Sequence, residues 1–226
     1  SIDVTDAVSV LADGSGEIGT IAGGAGSDIR LAGSGTVGDI AVGGGTVRLL
    51  GTHSVGTIDA GRGSLQVFHT GGGDIGTLGT AGTSFVRLEG TGALSRYEGG
   101  TATDVLTITN PAALDPDLVF LGGAIGPGGA GSNGLELLGA GTYDLTGATL
   151  SDIALIFFGG GARVRFDQET LTGAIVDGAR SFFLDRVGPG SDPAVLVATE
   201  AAVDLTGIVI GPGILFESDA AGGTEF

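Results

Sequence analysis

A four-residue motif recurs along the first half of the chain: an aliphatic residue, a glycine, a polar residue and a second aliphatic. It stands at Ile18-Gly19-Thr20-Ile21, Val37-Gly38-Asp39-Ile40, Val55-Gly56-Thr57-Ile58 and Ile75-Gly76-Thr77-Leu78, with a degraded copy at Leu94-Ser95-Arg96-Tyr97. Successive copies lie 18 to 20 residues apart. A period of that size marks a solenoid, in which each repeat forms one coil stacked on the last. A helix needs an apolar period of about 3.6 residues, and no segment sustains one. The chain also carries 48 glycines. Each weakens a helix interior by about 1 kcal/mol relative to alanine.

A second track keeps the same beat. Its triplets are Val8-Ser9-Val10, Ile29-Arg30-Leu31, Val47-Arg48-Leu49, Leu65-Gln66-Val67, Val86-Arg87-Leu88 and Leu106-Thr107-Ile108. Apolar-polar-apolar alternation is the pattern of a half-buried strand. Val8, Ile29, Val47, Leu65, Val86 and Leu106 are therefore expected to form one interior column. Ser9, Arg30, Arg48, Gln66, Arg87 and Thr107 are expected to form the exterior column beside it. Glycine-rich corners such as Val42-Gly43-Gly44-Gly45-Thr46 separate the tracks and supply tight turns.

The expected class is all-β: a parallel β-solenoid, with coils of about 18–20 residues over residues 1–110. From Asn110-Pro111 the rhythm loosens. Residues 111–226 read as a less regular continuation with longer coils, a separate β domain being the alternative. Strand-like stretches lie at 118–121, 135–138, 145–158 and 163–166, and residues 122–134 read as a low-complexity loop. Asp144-Leu145-Thr146-Gly147, Leu171-Thr172-Gly173 and Asp204-Leu205-Thr206-Gly207 echo one another.

Composition narrows the function classes. A net charge of −17 argues against nucleic acid and anionic membrane surfaces as partners. With no cysteine there is no disulfide framework, thiolate metal site or cysteine nucleophile. The longest apolar runs are too short to cross a bilayer. The chain opens on Ser1 and has no initiator Met, so it reads as a processed or excised segment of something longer.

Three sets of residues are candidates for chemistry. The first is the outward ladder Arg30, Arg48, Gln66 and Arg87, three of only nine basic residues, which suits an anionic polysaccharide or an acidic partner edge. The second is a set of turn carboxylates, Asp28, Asp74 and Asp104. Gly23-Gly24-Ala25-Gly26-Ser27-Asp28 resembles the calcium-binding turn of repeats-in-toxin nonapeptides, with partial echoes at Gly71-Gly72-Gly73-Asp74 and Gly99 to Asp104. Calcium needs about six to eight oxygen ligands, and the corner at Gly43-Gly44-Gly45-Thr46 has no carboxylate. The expectation is no cofactor, with an isolated calcium site as the alternative.

The third set is Arg163, Arg165, Asp167, Glu169, Asp177, Arg180, Asp185 and Arg186. Paired carboxylates of this kind serve as acid and base in polysaccharide-cleaving β-helices. Lysine is absent and aromatics are few, so a non-enzyme is the favoured reading. His53 and His69 read as loop residues.

With these motifs the chain resembles the β-solenoid repeat regions of large secreted bacterial surface proteins, adhesins and repeats-in-toxin proteins among them. The resemblance implies a structural or adhesive segment, extracellular or on the bacterial surface, that associates with itself or with neighbouring modules. The alternative is a polysaccharide-binding or polysaccharide-cleaving β-helix.

Overall fold

The computed structural model describes residues 2–3, 6–123, 133–174, 182–186 and 192–226, with the backbone alone for 173–174 and 182–186. The chain is a parallel β-solenoid of about 9 turns. Among the described residues three all-parallel sheets run along it, with ten, eight and four strands. The ten-stranded sheet is built from Ser9–Ala12, Ser27–Leu31, Gly45–Leu49, Leu65–His69, Ser84–Leu88, Asp104–Ile108, Gly134–Leu137, Leu155–Phe158, Phe182–Arg186 and Ile208–Ile210. Coils are numbered one to ten on these strands. The sheet passes residue 110 without a break, since Leu106 pairs Leu135 across a parallel ladder.

Alternation works as the sequence implies. In Ser27–Leu31, Leu65–His69 and Ser84–Leu88 the side chains alternate strictly between buried and exposed. Val47, Val67 and Leu106 are buried, and each buried aliphatic of this size contributes roughly 1.5–3 kcal/mol. The core is one continuous cluster from Val10 to Val203.

Two of the six triplets sit in a different register from the one expected. Val10, not Val8, pairs with Ile29, and Leu11 rather than Ser9 lies beside Arg30. In the fourth coil Val67 pairs with Val47, so Phe68 takes the place expected for Gln66, and His69 takes an inward slot beside Leu49. Leu65 and Gln66 pair one rung earlier, with Gly45 and Thr46. The physical reason is that a two-residue slip keeps every side chain on its own face. Alternation therefore fixes the face but not the rung. The pair Phe68 out and His69 in inverts the usual polarity, which makes Leu65-Gln66-Val67 the better-looking triplet.

The recurring glycine has a steric cause. Val37 and Ile40 are both buried, as are Val55 and Ile58, so alternation slips between them. A Cβ on Gly38, Gly56 or Gly76 would lie 2.4, 2.5 or 2.6 Å from the carbonyl oxygen of the preceding coil's glycine. The backbones stack too closely there for any side chain.

The second half gains a third side. Gly141–Asp144, Ala162–Phe166, Ala194–Ala198 and Ile214–Ser218 form the four-stranded sheet. The expected strand over 145–158 is two short strands, Thr149–Ser151 and Leu155–Phe158, interrupted by Asp152 at a φ of 57°. The three echoes divide. At Asp144 and Asp204 the carboxylate accepts from the backbone N–H of Thr146 (3.2 Å) and Thr206 (2.8 Å), the same Asx turn twice. Leu171-Thr172-Gly173 instead lies in the helix Gln168–Ala174. Asp167 caps this helix by accepting from the Thr170 N–H at 2.8 Å. Most of the expected loop 122–134 lies outside the described residues.

Candidate functional site

The arginine ladder sits on the outer face of the ten-stranded sheet. Along one column, coils one to eight present Leu11, Arg30, Arg48, Phe68, Arg87, Thr107, Glu136 and Phe157. Arg30 and Arg48 are direct neighbours, while Phe68 separates Arg48 from Arg87. Gln66 belongs to the adjacent column, between Thr46 and Phe85. Arg48 donates to the Asp28 carboxylate, and Arg87 pairs with Glu89 at 2.5 Å. Both pairs are exposed, so each contributes about 0–1 kcal/mol. Arg30 makes no ion pair among the described residues.

Large apolar side chains share this face. Leu11 is 63% exposed, Phe85 50% and Phe68 38%. Neither the number of aromatics nor the ladder pattern pointed to Phe68 and Phe85. The signal that could have found them is a bulky apolar residue at the middle of an alternating triplet.

The three turn carboxylates are not brought together. Asp28 lies on the outer face of the second coil, paired with Arg48. Asp74 sits before the strand Ile75–Gly79 and accepts from the Ala93 N–H at 3.0 Å. Asp104 is buried inside the solenoid. Among the described residues no group of three or more histidines, aspartates and glutamates is arranged to hold a metal ion.

Asp104 belongs to an interior polar network. Its carboxylate accepts from the Ser84 hydroxyl at 2.5 Å and from the Gly100 N–H at 2.9 Å. Ser84 also bonds the Tyr97 hydroxyl, and the Tyr97 ring stacks on Phe120 with centroids 4.6 Å apart. Burial raises the Asp104 pKa above its ordinary value, against the hydrogen bonds from Ser84 and Gly100. Burial, helped by the Asp104 charge, raises the Tyr97 hydroxyl too. Asn133 closes the next rung: its carbonyl oxygen accepts from the Asp104 N–H, and its amide donates to Asp152 O at 3.0 Å. These groups satisfy one another inside the core, as buried polar groups must.

Both histidines are buried strand residues, not loop residues. His69 Nε2 bonds the Gly73 carbonyl at 2.5 Å. The Nδ1 atoms of His53 and His69 have no hydrogen-bond partner among the described residues.

Two arginines of the second-half cluster strap coils together. Arg163 grips Glu217 through two hydrogen bonds of 3.0 and 2.7 Å. Arg165 donates to Asp144 on one side and to Asp219, at 3.1 Å, on the other. The strand Ala194–Ala198 lies between Ala162–Phe166 and Ile214–Ser218, so both guanidinium groups reach across it. Val197, which pairs with Arg165 on that face, is 1% exposed as a result. Burial would raise the Asp144 carboxyl, but the Thr146 hydrogen bonds and the Arg165 charge outweigh it and hold the pKa below the ordinary value. Glu169 lies in the first turn of the helix. Asp177 and Arg180 lie outside the described residues, as do the side chains of Asp185 and Arg186.

A second surface feature is a groove of about 350 Å³ on the eight-stranded sheet, lined by the Thr57, Thr77, Asp59 and Glu98 side chains among others. Thr57 and Thr77 belong to the outward column Thr20, Asp39, Thr57, Thr77 and Arg96. Among the described residues no helix is long and apolar enough to cross a membrane. No family model matches the chain, and no curated protein or solved structure matches it either.

Proposed function

We propose that this chain is a structural segment of a bacterial extracellular or cell-surface protein, a stiff acidic rod whose outer faces make contacts. One observation carries the reading. Of the second-half cluster, Arg163 and Arg165 are engaged in straps between coils, Arg163 with Glu217 and Arg165 with Asp144 and Asp219, and Asp167 caps a helix. A composition acidic and free of lysine accords with the surface location. The resemblance to adhesin and repeats-in-toxin regions remains part of this proposal. In it the chain needs no cofactor, and its partners are copies of itself, neighbouring modules or a glycan.

The threonine and carboxylate groove on the eight-stranded sheet favours a second reading, a polysaccharide-binding or polysaccharide-cleaving surface. Hydroxyl and carboxylate groups at Thr57, Thr77, Asp59 and Glu98 are suited to sugar hydroxyls. One experiment separates the two. Purified chain is incubated with alginate, pectate and neutral glycans, and both binding and chain cleavage are measured. The scaffold reading expects no turnover. Turnover abolished by Asp59→Asn or Glu98→Gln overturns it in favour of an enzyme.

A further inference from the structure

The outer face of the ten-stranded sheet is complementary to itself. A two-fold axis lying in the plane of contact, parallel to the strands and midway between coils four and five, turns the face onto itself. It keeps each column and reverses coil order, so coil k meets coil 9 − k of the second copy. On the column described above, Phe68 of coil four then meets Arg87 of coil five. Arg30 of coil two meets Glu136 of coil seven, and Leu11 of coil one meets Phe157 of coil eight. On the adjacent column Gln66 meets Phe85.

Three of the four meetings on the main column are chemically favourable, while the fourth sets Arg48, already paired with Asp28, over the buried Thr107. A guanidinium over a phenyl face is a cation–π contact. Arg30 lacks a carboxylate partner in its own chain among the described residues. Among the described residues Glu136 makes no ion pair and accepts the Thr107 hydroxyl at 2.6 Å. The unpaired cation and the unpaired anion occupy symmetry-related rungs, which is the requirement of an isologous interface. The apolar pair at the rim covers Leu11, 63% exposed in the single chain.

The size is adequate. Eight coils at about 4.8 Å and strands of four or five residues give a face of roughly 600 Å² per copy, about 1,200 Å² in total. Specific interfaces begin near about 1,200 Å². We infer that this face, carrying Arg30, Phe68, Phe85, Arg87 and Glu136, is the contact between two antiparallel copies of the chain. This deepens the contact-surface reading above and rests on it.

The test uses the whole chain. Sedimentation across a concentration series is expected to show a species of twice 21.9 kDa. Arg30→Glu places like charges opposite each other twice per dimer, as does Glu136→Arg. Each is expected to weaken dimerisation at least tenfold, and the double variant Arg30→Glu/Glu136→Arg to restore it. Circular dichroism checks that the variants keep their strand signal, and the milder Arg30→Gln replaces any that does not. Orientation is read separately. The chain has no cysteine, so Asp13→Cys accepts a single spin label in the loop of coil one. Antiparallel packing separates the two labels by seven coil steps, about 34 Å.

A monomer at every concentration overturns the inference, as does a dimer indifferent to the charge swaps or a label distance near that of end-to-end contact. A monomer that binds acidic glycan through the arginines sinks the dimer and leaves the contact-surface reading standing. A catalytically active dimer does the reverse.

Discussion

The glycine column allows one motif to be tested against itself. Gly19 and Gly56 occupy the same place in two copies of the repeat. A Cβ on Gly56 would sit 2.5 Å from the Gly38 carbonyl oxygen, roughly 0.9 Å inside the 3.4 Å at which ordinary contact begins. The obstacle is the Gly38 backbone, tied into the ladders on either side through Val37 and Asp39, so it cannot rotate away like a side chain. A Cβ on Gly19 meets nothing within 4 Å, because the strand Ile2–Asp3 pairs only with Ile21 and Ala22. Overpacking of this kind costs about 1–3 kcal/mol. Removing backbone freedom from the unfolded chain stabilises by about 0.4–1 kcal/mol where the native conformation tolerates a side chain. Gly56→Ala is therefore expected to lower the thermal midpoint by about 2–12 °C for a chain of this size, and Gly19→Ala to leave it unchanged or slightly higher. Urea and thermal unfolding followed by circular dichroism measure both. Equal effects from the two substitutions would refute the steric account of the motif.

Two further outcomes are expected. Val47→Asp buries an unpaired charge at a site with no exposure and removes an apolar contribution of roughly 1.5–3 kcal/mol. It should abolish the cooperative transition, while Arg48→Ser, losing only an exposed pair, should cost less than about 1 kcal/mol; similar losses from both would place residue 48 in the core. Asp104 binds its proton more tightly folded than unfolded, so its contribution is fully present below the ordinary carboxylate pKa of 3.8. It is lost as pH rises from there through the raised folded value. Asp104→Asn should accordingly gain stability relative to the parent as pH increases through that window, and a difference between the two that is flat with pH would remove burial as the dominant influence on the carboxyl.

The sequence alone determined the class of fold and the faces of its strands. A period of 18 to 20 residues and two-residue alternation act locally: each coil repeats the same choice of buried and exposed side chains. The Arg30, Arg48 and Arg87 stripe was legible for that reason. Register was not, because a two-residue slip changes no face. Only stacking decided that Phe68 stands between Arg48 and Arg87, that Gln66 stands beside it and that His69 fills a core slot. The fates of the second-half charges were equally beyond local pattern. Arg163 and Glu217 are 54 residues apart in sequence, and they meet because closed coils of unequal length bring their strands to one side. Burial of Asp104 has the same origin. Residue type alone makes it a turn carboxylate, but the rungs above and below supply Ser84, Tyr97 and Asn133, and a carboxyl so surrounded can lie inside a core.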